Sequence, residues 1–122
     1  MSLQALDHFT VMCADLDRSR AFYSGALGLV DGDRPAIPIP GAWMYLGNRP
    51  VVHLMAAGKN AEAGPTGAFD HLAFEASDFT GVHSRLKALD LDFQEAALPD
   101  FNLRQIFLHD PDGVKIELNF RG

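Results

Sequence analysis

An internal repeat constrains the fold of this chain more than any other feature of its sequence. The segment Leu6-Asp7-His8-Phe9 returns as Phe69-Asp70-His71-Leu72, so the second copy follows the first after 63 residues, from position 8 to position 71. Asp15-Leu16 returns at the same spacing as Asp78-Phe79. Self-similarity of this kind indicates that each half of the chain forms the same supersecondary unit.

Each copy opens with a strand that leads into a helix. Asp15 and Asp78 stand at this junction, where a side-chain oxygen caps the first free N–H groups of a helix. The residues that follow recur at the spacing of one helix face. These residues are Leu16, Ser19, Tyr23 and Ala26 in the first copy and Phe79, Val82, Leu86 and Leu89 in the second.

Each copy closes with two strands joined by a turn, which covers residues 47–50 in the first copy and 110–113 in the second. The strands predicted around these turns are residues 42–46, 51–55, 103–108 and 114–120. Between the copies, residues 57–66 are rich in Gly, Ala and Lys, a composition typical of a linker. The sequence therefore predicts a single α+β domain of two βαβββ modules, residues 1–57 and 66–122, forming a curled mixed sheet.

Composition restricts the partners of the protein. The chain has 122 residues, of which 48% are hydrophobic, and this suffices for one domain with its own core. The net charge of −6 predicts repulsion from nucleic acid and from anionic membranes. Cys13 is the single cysteine, and its apolar neighbours predict a buried thiol. No apolar run approaches the roughly 18 residues of a membrane span and no secretory leader is evident, so we expect a cytoplasmic protein.

Four metal-ligating side chains occupy matched positions of the two copies. His8 and His71 open the first strand of each copy, and His53 and Glu117 lie in the middle of the last strand. Alternation along these last strands places apolar neighbours on one face and the ligand candidate on the other. A carboxylate among apolar residues is costly to bury unpaired, and metal coordination offsets that cost. Imidazole and carboxylate together suit Zn²⁺, Ni²⁺, Co²⁺, Fe²⁺ or Mn²⁺, so we predict one divalent ion.

Three motifs accompany these ligand candidates. They are Asp7-His8, Phe22-Tyr23 followed by Leu27-Gly28, and Asp110-Pro111-Asp112-Gly113 before Glu117. In this set the chain resembles the vicinal oxygen chelate superfamily, which includes glyoxalases, bleomycin resistance proteins and extradiol dioxygenases. The resemblance implies a glyoxalase-like sheet and a divalent metal that chelates adjacent oxygen atoms of a small substrate.

The ligand set departs from each subfamily of this superfamily. Glyoxalase I enzymes resemble the chain at His8, His71 and Glu117 but carry Glu or Gln at the position of His53. Methylmalonyl-CoA epimerases usually carry Gln there, extradiol dioxygenases and fosfomycin resistance enzymes use two His and one Glu, and bleomycin-binding relatives generally lack the ligands. The resemblance implies an isomerase or lyase in which Glu117 is both ligand and proton-transfer base, with a metal-bound water as the alternative base. An extradiol-type dioxygenase and a non-catalytic protein that binds a drug or metabolite are the alternatives.

The residues that share the face of Glu117 are predicted to contact a small organic substrate. Strand pairing and the superfamily resemblance place Gln105 and Phe107 on this face of the preceding strand, and Trp43 and Tyr45 are their counterparts in the first copy. Phe107 stands where extradiol dioxygenases carry a Tyr that hydrogen-bonds the catecholate. Because Phe lacks a hydroxyl group, the isomerase or lyase interpretation is favoured over the dioxygenase.

Three other polar residues are predicted to lie away from this face. Arg104 alternates to the opposite face of its strand. Arg49 lies in a turn and is predicted to be solvated. His83 falls on the polar side of the second helix and is predicted to be a surface residue.

The assembly follows from the edges of the predicted sheets. A four-stranded module leaves sheet edges that relatives cover by pairing modules within one subunit or between subunits. We therefore expect a homodimer. The sequence leaves open whether the metal site is built within one chain or across the dimer.

Overall fold

Each half of the chain folds into the same succession of elements. The structure is a computed structural model that describes residues 2–58 and 64–122, and contacts within the chain divide it into unit 1, Met1–Glu62, and unit 2, Ala63–Gly122. Unit 1 contains β1 (Phe9–Cys13), α1 (Leu16–Gly25), β2 (Val30–Gly32), β3 (Gly41–Leu46) and β4 (Arg49–Ala56). Unit 2 contains β5 (Leu72–Ala76), α2 (Phe79–Ala88), β6 (Gln94–Leu98), a 3₁₀ turn (Pro99–Phe101), β7 (Leu103–His109) and β8 (Lys115–Arg121). The middle of the predicted linker, residues 59–63, lies outside the described residues.

The two units share one sheet topology. Unit 1 has a four-stranded sheet in the order β1-β4-β3-β2, and unit 2 has a four-stranded sheet in the order β5-β8-β7-β6. The first and last strands of each unit pair in parallel, whereas the other neighbouring strands are antiparallel. The predicted α+β fold of two βαβββ modules with mixed sheets is therefore confirmed.

Two details of the strands differ from the sequence-based prediction. β1 begins at Phe9 and β5 begins at Leu72, so His8 and His71 each precede the strand by one residue instead of opening it. The short outer strands β2 and β6 are not located by apolar alternation, because every residue in both strands is exposed.

Both helices begin at the predicted caps. The Asp15 carboxylate accepts a hydrogen bond from the N–H of Arg18, and the Asp78 carboxylate accepts one from the N–H of Gly81, each at 3.1 Å. The backbone of Asp15 is extended, whereas Asp78 is left-handed with a φ of 60°. The buried helix residues are Ser19, Phe22, Tyr23, Val82 and Leu86. Within the described part of the chain, neither helix is long and apolar enough to cross a membrane.

The last strand of unit 2 separates apolar from polar side chains. Ile116 is fully buried, and Phe120 on the same face meets Phe79 of α2 with ring centroids 5.2 Å apart. The guanidinium of Arg104 also lies on this face, 3.5 Å from the centroid of the Phe79 ring. Glu117 therefore lies on the face that points away from α2, as the alternation predicts.

The first and last strands of unit 1 bury apolar side chains in the same way. Val52 and Leu54 of β4 are fully buried, and His53 between them lies on the opposite face and is only partly buried. Cys13 at the end of β1 is fully buried, as its apolar neighbours predict. Each candidate ligand on a last strand thus faces away from the apolar side of its own sheet.

The turn before β8 is built around the carboxylate of Asp110. This group accepts hydrogen bonds from the N–H of Asp112 at 2.9 Å and from the N–H of Val114 at 2.8 Å. Gly113 has a φ of 88°, and a Cβ at this position would lie 2.5 Å from the backbone nitrogen of Gly64. Glycine is therefore required both by the backbone conformation and by this close approach. The predicted turn is confirmed, and it fixes where β8 begins.

His83 lies at the surface, as the helical pattern predicts, but it is more covered than a fully solvated side chain. Its Nε2 lies 3.1 Å from a carboxylate oxygen of Glu95, and its ring meets Phe93 edge-on with centroids 5.1 Å apart. Its side chain is 31% exposed. The difference arises because β6 and the residue before it lie beside this face of α2.

Candidate metal centre

Unit 2 brings two of the four predicted ligands together. His71 immediately precedes β5, and Glu117 lies in the middle of β8, the strand that pairs with β5 in parallel. His71 Nε2 lies 3.4 Å from Glu117 Oε1, and the two side chains are 37% and 15% exposed. The two ligand atoms therefore stand side by side and are partly accessible to solvent.

The spacing of these two atoms fits a shared metal ion. Imidazole nitrogen and carboxylate oxygen bind an ion such as Zn²⁺ at about 2.1 Å. Two ligand atoms at that distance, separated by a tetrahedral angle, are about 3.4 Å apart. The observed separation of Nε2 and Oε1 agrees with this value. The pairing of imidazole with carboxylate also agrees with the metals that the sequence indicates.

A second carboxylate fixes the imidazole of His71. Asp70 Oδ2 lies 2.7 Å from His71 Nδ1, and an ionised carboxylate can only accept a hydrogen bond. Nδ1 therefore carries a proton, and Nε2, on the other side of the ring, is the nitrogen that faces Glu117. The same hydrogen bond, together with the nearby Lys115 ammonium, lowers the pKa of Asp70 and keeps this carboxylate ionised.

One residue of this site was not predicted from the sequence. Asn119 follows Glu117 by two residues on the same face of β8 and donates from Nδ2 to Glu117 Oε2 at 2.8 Å. Gln105 donates from Nε2 to Asn119 Oδ1 at 3.0 Å, so its amide nitrogen is engaged within the site. The signal that points to Asn119 is its spacing from Glu117, since residues i and i+2 of a strand share a face.

Unit 1 repeats the pairing of Asp with His. His8 Nδ1 lies 2.7 Å from Asp7 Oδ2, and this hydrogen bond lowers the pKa of Asp7. Arg49 is exposed, as predicted, and it also donates from Nη2 to the carbonyl of Leu6 at 3.2 Å. This contact holds the segment that carries His8 against the start of β4.

The imidazole of His53 lies in an aromatic stack. Its ring centroid is 3.7 Å from that of His8 and 4.1 Å from that of Trp43, with interplanar angles of 9° and 16°. His53 Nε2 lies 3.1 Å from the carbonyl oxygen of Pro50. Burial, and then the charge on His8, lowers the pKa of His53 and favours the neutral ring. Since Nε2 of the neutral ring donates to Pro50, Nδ1 is the nitrogen that keeps a lone pair.

The stack brings the rings of His8 and His53 together, but it does not point their nitrogen atoms at a common position. A metal ion binds an imidazole nitrogen in the plane of the ring, and these two rings are stacked in nearly parallel planes. His53 therefore has to leave the stack before it can share an ion with His8. Over residues 2–58 and 64–122, no group of three or more His, Cys, Asp or Glu side chains gathers where it could hold a metal ion.

The predicted substrate contacts take different positions around these pairs. Trp43 is the cross-strand partner of His53, and Phe107 has the same relation to Glu117. Both aromatic rings therefore lie beside a candidate ligand of their own unit. Tyr45 follows an irregularity in the pairing of β3, and its hydroxyl donates to a carbonyl in the loop after β2 at 2.7 Å. The hydroxyl of Tyr45 is thus engaged in holding that loop.

A cavity of about 480 Å³ opens beside Phe107 in unit 2. Its lining residues are Asp92, Phe93, Gln94, Phe107, His109 and Lys115. A cavity of this volume accommodates a small organic molecule. The Lys115 ammonium lies 5.4 Å from the centroid of the Phe107 ring, and the lining contains both this cation and the Asp92 carboxylate.

The sequence is similar to known proteins over nearly its whole length. Residues 5–118 match the model of the Glyoxalase/Bleomycin resistance protein/Dioxygenase superfamily. The chain belongs to this superfamily. A relative from this group, named Glyoxylase I 4, from Arabidopsis thaliana, is 29% identical over 125 residues, covering 97% of this chain and 71% of the relative. The resemblance seen in the sequence motifs is therefore confirmed.

Solved structures of glyoxalase-like proteins share the fold. A variant of the fosfomycin resistance protein from Listeria monocytogenes, in complex with Mn(II) and 1S,2S-dihydroxypropylphosphonic acid, has a TM-score of 0.80 at 18% identity, covering 98% of this chain and 94% of that one. The lactoylglutathione lyase from Agrobacterium tumefaciens has a TM-score of 0.71 at 19% identity, covering 98% and 96%. At these identities the likeness shows a common superfamily fold.

Proposed function

We propose that this chain is a metal-dependent enzyme of the isomerase or lyase type, which binds adjacent oxygen atoms of a small substrate through a divalent ion. The names of two relatives support this class of activity, since one is a glyoxylase I and the other a lactoylglutathione lyase. The Listeria neighbour holds Mn(II) together with a compound that carries two adjacent hydroxyl groups. These names support the chemistry, and the specific substrate is left to experiment.

The observation that carries this proposal is the contact between His71 and Glu117. Because His71 Nδ1 donates to Asp70, the other ring nitrogen, Nε2, faces Glu117 Oε1 at 3.4 Å. Two such atoms repel each other unless a proton or a cation lies between them. A divalent ion at this point satisfies both atoms and leaves coordination positions for a substrate.

The proposed ligands are His8, His71 and Glu117, with His53 as the fourth. His8 and His53 belong to unit 1, and His71 and Glu117 belong to unit 2. His53 contributes least to affinity, because it has to give up its stacking on Trp43 to join the ion. Zn²⁺, Ni²⁺, Co²⁺, Fe²⁺ and Mn²⁺ all suit this donor set.

Glu117 is the proposed proton-transfer base. The bound ion supplies Lewis-acid polarisation of the substrate oxygens. Glu117 Oε2 accepts one hydrogen bond from Asn119, and its second lone pair is left for a substrate proton. The side chains proposed to surround the substrate are Trp43, Tyr45, Gln105 and Phe107.

Metal content and proton transfer test this proposal together. Protein purified without a metal-affinity column is expected to hold about one divalent ion per chain by elemental analysis. In D₂O, the Zn²⁺ or Ni²⁺ protein is expected to exchange the α-proton of an α-hydroxycarbonyl compound, as followed by NMR. Glu117→Gln is the matched control, because it keeps the size of the side chain and removes the base. Protein that stays metal-free after reconstitution would overturn the proposal, and tight binding without turnover would favour the drug-binding or metabolite-binding alternative.

Phe107 argues against the dioxygenase alternative. This residue lies opposite Glu117 across the β7–β8 pair and has no hydroxyl group to donate to a catecholate. We expect Fe²⁺-loaded protein to consume no oxygen with catechols above the level of a His71→Ala control. Oxygen uptake above that control, measured with an oxygen electrode, would favour the dioxygenase instead.

We also propose that the protein forms a homodimer. The outer strands are β1 and β2 in unit 1 and β5 and β6 in unit 2. Outer strands carry backbone groups that need a partner or a cover, and symmetric association is a common solution. Light scattering is expected to give twice the chain mass of 13.3 kDa. A stable monomer at micromolar concentration would contradict this proposal.

A further inference from the structure

The Glu117 carboxylate accepts a hydrogen bond from one amide side chain, which in turn accepts a hydrogen bond from a second amide side chain. Asn119 Nδ2 lies 2.8 Å from Glu117 Oε2, and Gln105 Nε2 lies 3.0 Å from Asn119 Oδ1. Asn119 is only 9% exposed and Glu117 has a side-chain exposure of 15%. From this arrangement we infer that Asn119 is a positioning residue, which sets the orientation of the Glu117 carboxylate. Gln105 in turn fixes the orientation of the Asn119 amide. The inference rests on the proposed function, because the orientation matters for the ion that Glu117 is proposed to bind.

The chemistry of the three groups allows one orientation of the amides. An ionised carboxylate accepts hydrogen bonds and donates none, so the NH₂ group of Asn119 has to face Glu117. The carbonyl oxygen of Asn119 then faces Gln105 and requires a donor, which the NH₂ group of Gln105 provides. Reversing either amide would place two acceptors or two donors against each other. The chain from Gln105 to Glu117 is therefore directional, and each member fixes the next.

The two oxygens of Glu117 consequently face different groups. Oε2 is held by Asn119, whereas Oε1 is turned toward His71 Nε2. Without Asn119 the carboxylate would be free to rotate about its terminal bond and to present either oxygen. Groups that orient a metal ligand in this way typically change metal affinity by about 10-fold to 100-fold when they are removed.

The internal repeat supplies a matched substitution. His53 corresponds to Glu117, so the residue that corresponds to Asn119 is Met55, which pairs across the sheet with Gly41 as Asn119 pairs with Gln105. Unit 1 therefore has neither a side-chain amide nor its lock at these positions. Asn119→Met places in unit 2 a residue that the same strand position already holds in unit 1. It removes the hydrogen bond to Glu117 while keeping a side chain that suits the scaffold.

Binding of Co²⁺ measures the effect on the site. Metal-free protein is titrated with Co²⁺ in competition with a chelator, and the visible absorption of the bound Co²⁺ is recorded. Asn119→Met is expected to weaken Co²⁺ affinity by about 10-fold to 100-fold and to alter the absorption spectrum, because the carboxylate orientation changes. Gln105→Leu is expected to weaken affinity by less, since Asn119 still reaches Glu117. Met55→Leu in unit 1 is the control for a general effect of substitution at this strand position, and it is expected to leave both readouts unchanged.

A second measurement decides the inference without any metal. In NMR spectra of the metal-free protein, the side-chain NH₂ protons of Asn119 are expected to exchange slowly with solvent and to lose this protection in Glu117→Ala. Gln105→Leu is expected to reduce the protection, and it also serves if Asn119→Met does not fold. Wild-type protein that binds no Co²⁺ would count against the proposed function, whereas slow exchange at Asn119 would still support the positioning role. Folded Asn119→Met with unchanged Co²⁺ affinity and spectrum, or an Asn119 amide that exchanges freely in the wild type, would overturn the inference.

Discussion

The two units have the same topology, yet they hold their candidate ligands by different forces. In unit 1, His53 is stacked between His8 and Trp43. In unit 2, the corresponding Glu117 accepts a hydrogen bond from Asn119, whose own amide oxygen accepts one from Gln105. Both units keep an Asp whose carboxylate accepts a hydrogen bond from Nδ1 of the His that follows it. The repeat therefore fixes where each ligand candidate stands, and the neighbouring residues adapt to its chemistry.

The difference follows from the charge of the two side chains. A neutral imidazole is buried at little cost against aromatic rings, and burial in turn lowers the pKa of His53 and favours its neutral form. A carboxylate that loses water needs donors in exchange, which apolar neighbours cannot supply. The amide groups of Asn119 and Gln105 meet this need, whereas Met55 and Gly41 suffice at the corresponding positions of unit 1.

The largest expected difference between the units lies in metal affinity. Glu117→Ala is expected to reduce the affinity for a divalent ion by at least about 100-fold, because it removes a proposed ligand whose orientation is fixed. His53→Ala is expected to reduce it by about 10-fold or less, because His53 has to leave its stack to bind. Competition with a chromogenic chelator measures both values, and circular dichroism confirms that the variants fold. Equal losses in the two variants would show that the stacked His53 is as much a ligand as Glu117.

A smaller difference is expected in the stabilising role of the aromatic residues opposite the ligands. Trp43→Ala is expected to lower the free energy of unfolding by about 3 kcal/mol, since it removes a large, partly buried ring and its stacking on His53. Phe107→Ala is expected to cost about 2 kcal/mol, because its ring is smaller and is contacted by the exposed Lys115 ammonium. Urea denaturation of metal-free protein compares the two variants. A larger loss for Phe107→Ala would contradict the view that unit 1 depends on the stack.

The smallest expected difference concerns the two helix caps. Asp15→Gly is expected to destabilise the protein by about 0.5 kcal/mol, because the cap is lost from an extended residue. Asp78→Gly is expected to be close to neutral, since glycine adopts the positive φ of this position without strain and this gain offsets the lost cap. Denaturation midpoints of the two variants, with Asp15→Ala and Asp78→Ala as references, provide the test. The idea fails if both glycine variants lose the same stability.

Most of the fold could be predicted from the sequence because its signals are local. The helix caps at Asp15 and Asp78 and the alternation around His53 and Glu117 each involve neighbouring residues, and the repeat supplies each signal twice. The outer strands β2 and β6 could not be located in this way. Their residues are all exposed, so the sequence has no alternation of buried apolar and exposed polar residues that would mark these strands.

The candidate site could be predicted only as far as residue type and matched position allow. The four ligand candidates and the face of Phe107 follow from the repeat and from strand alternation. The stacking of His8 on His53 depends on how β1 and β4 align, which the sequence does not specify. The role of Asn119 could not be predicted either, because a single polar residue near the end of a strand is as common on a solvated surface as beside a ligand.

The turn built around Asp110 illustrates that a sequence motif can reflect the fold of a protein without reflecting its activity. Its glycine, Gly113, is demanded by a positive φ and by the backbone of Gly64, and neither demand involves a substrate or a metal. The requirement for that glycine therefore comes from folding and does not depend on the reaction. Descendants of one ancestor can keep the turn through many changes of chemistry. An Asp-Pro-Asp-Gly turn therefore reports on how a chain folds, and its activity has to be inferred from the side chains that the fold presents.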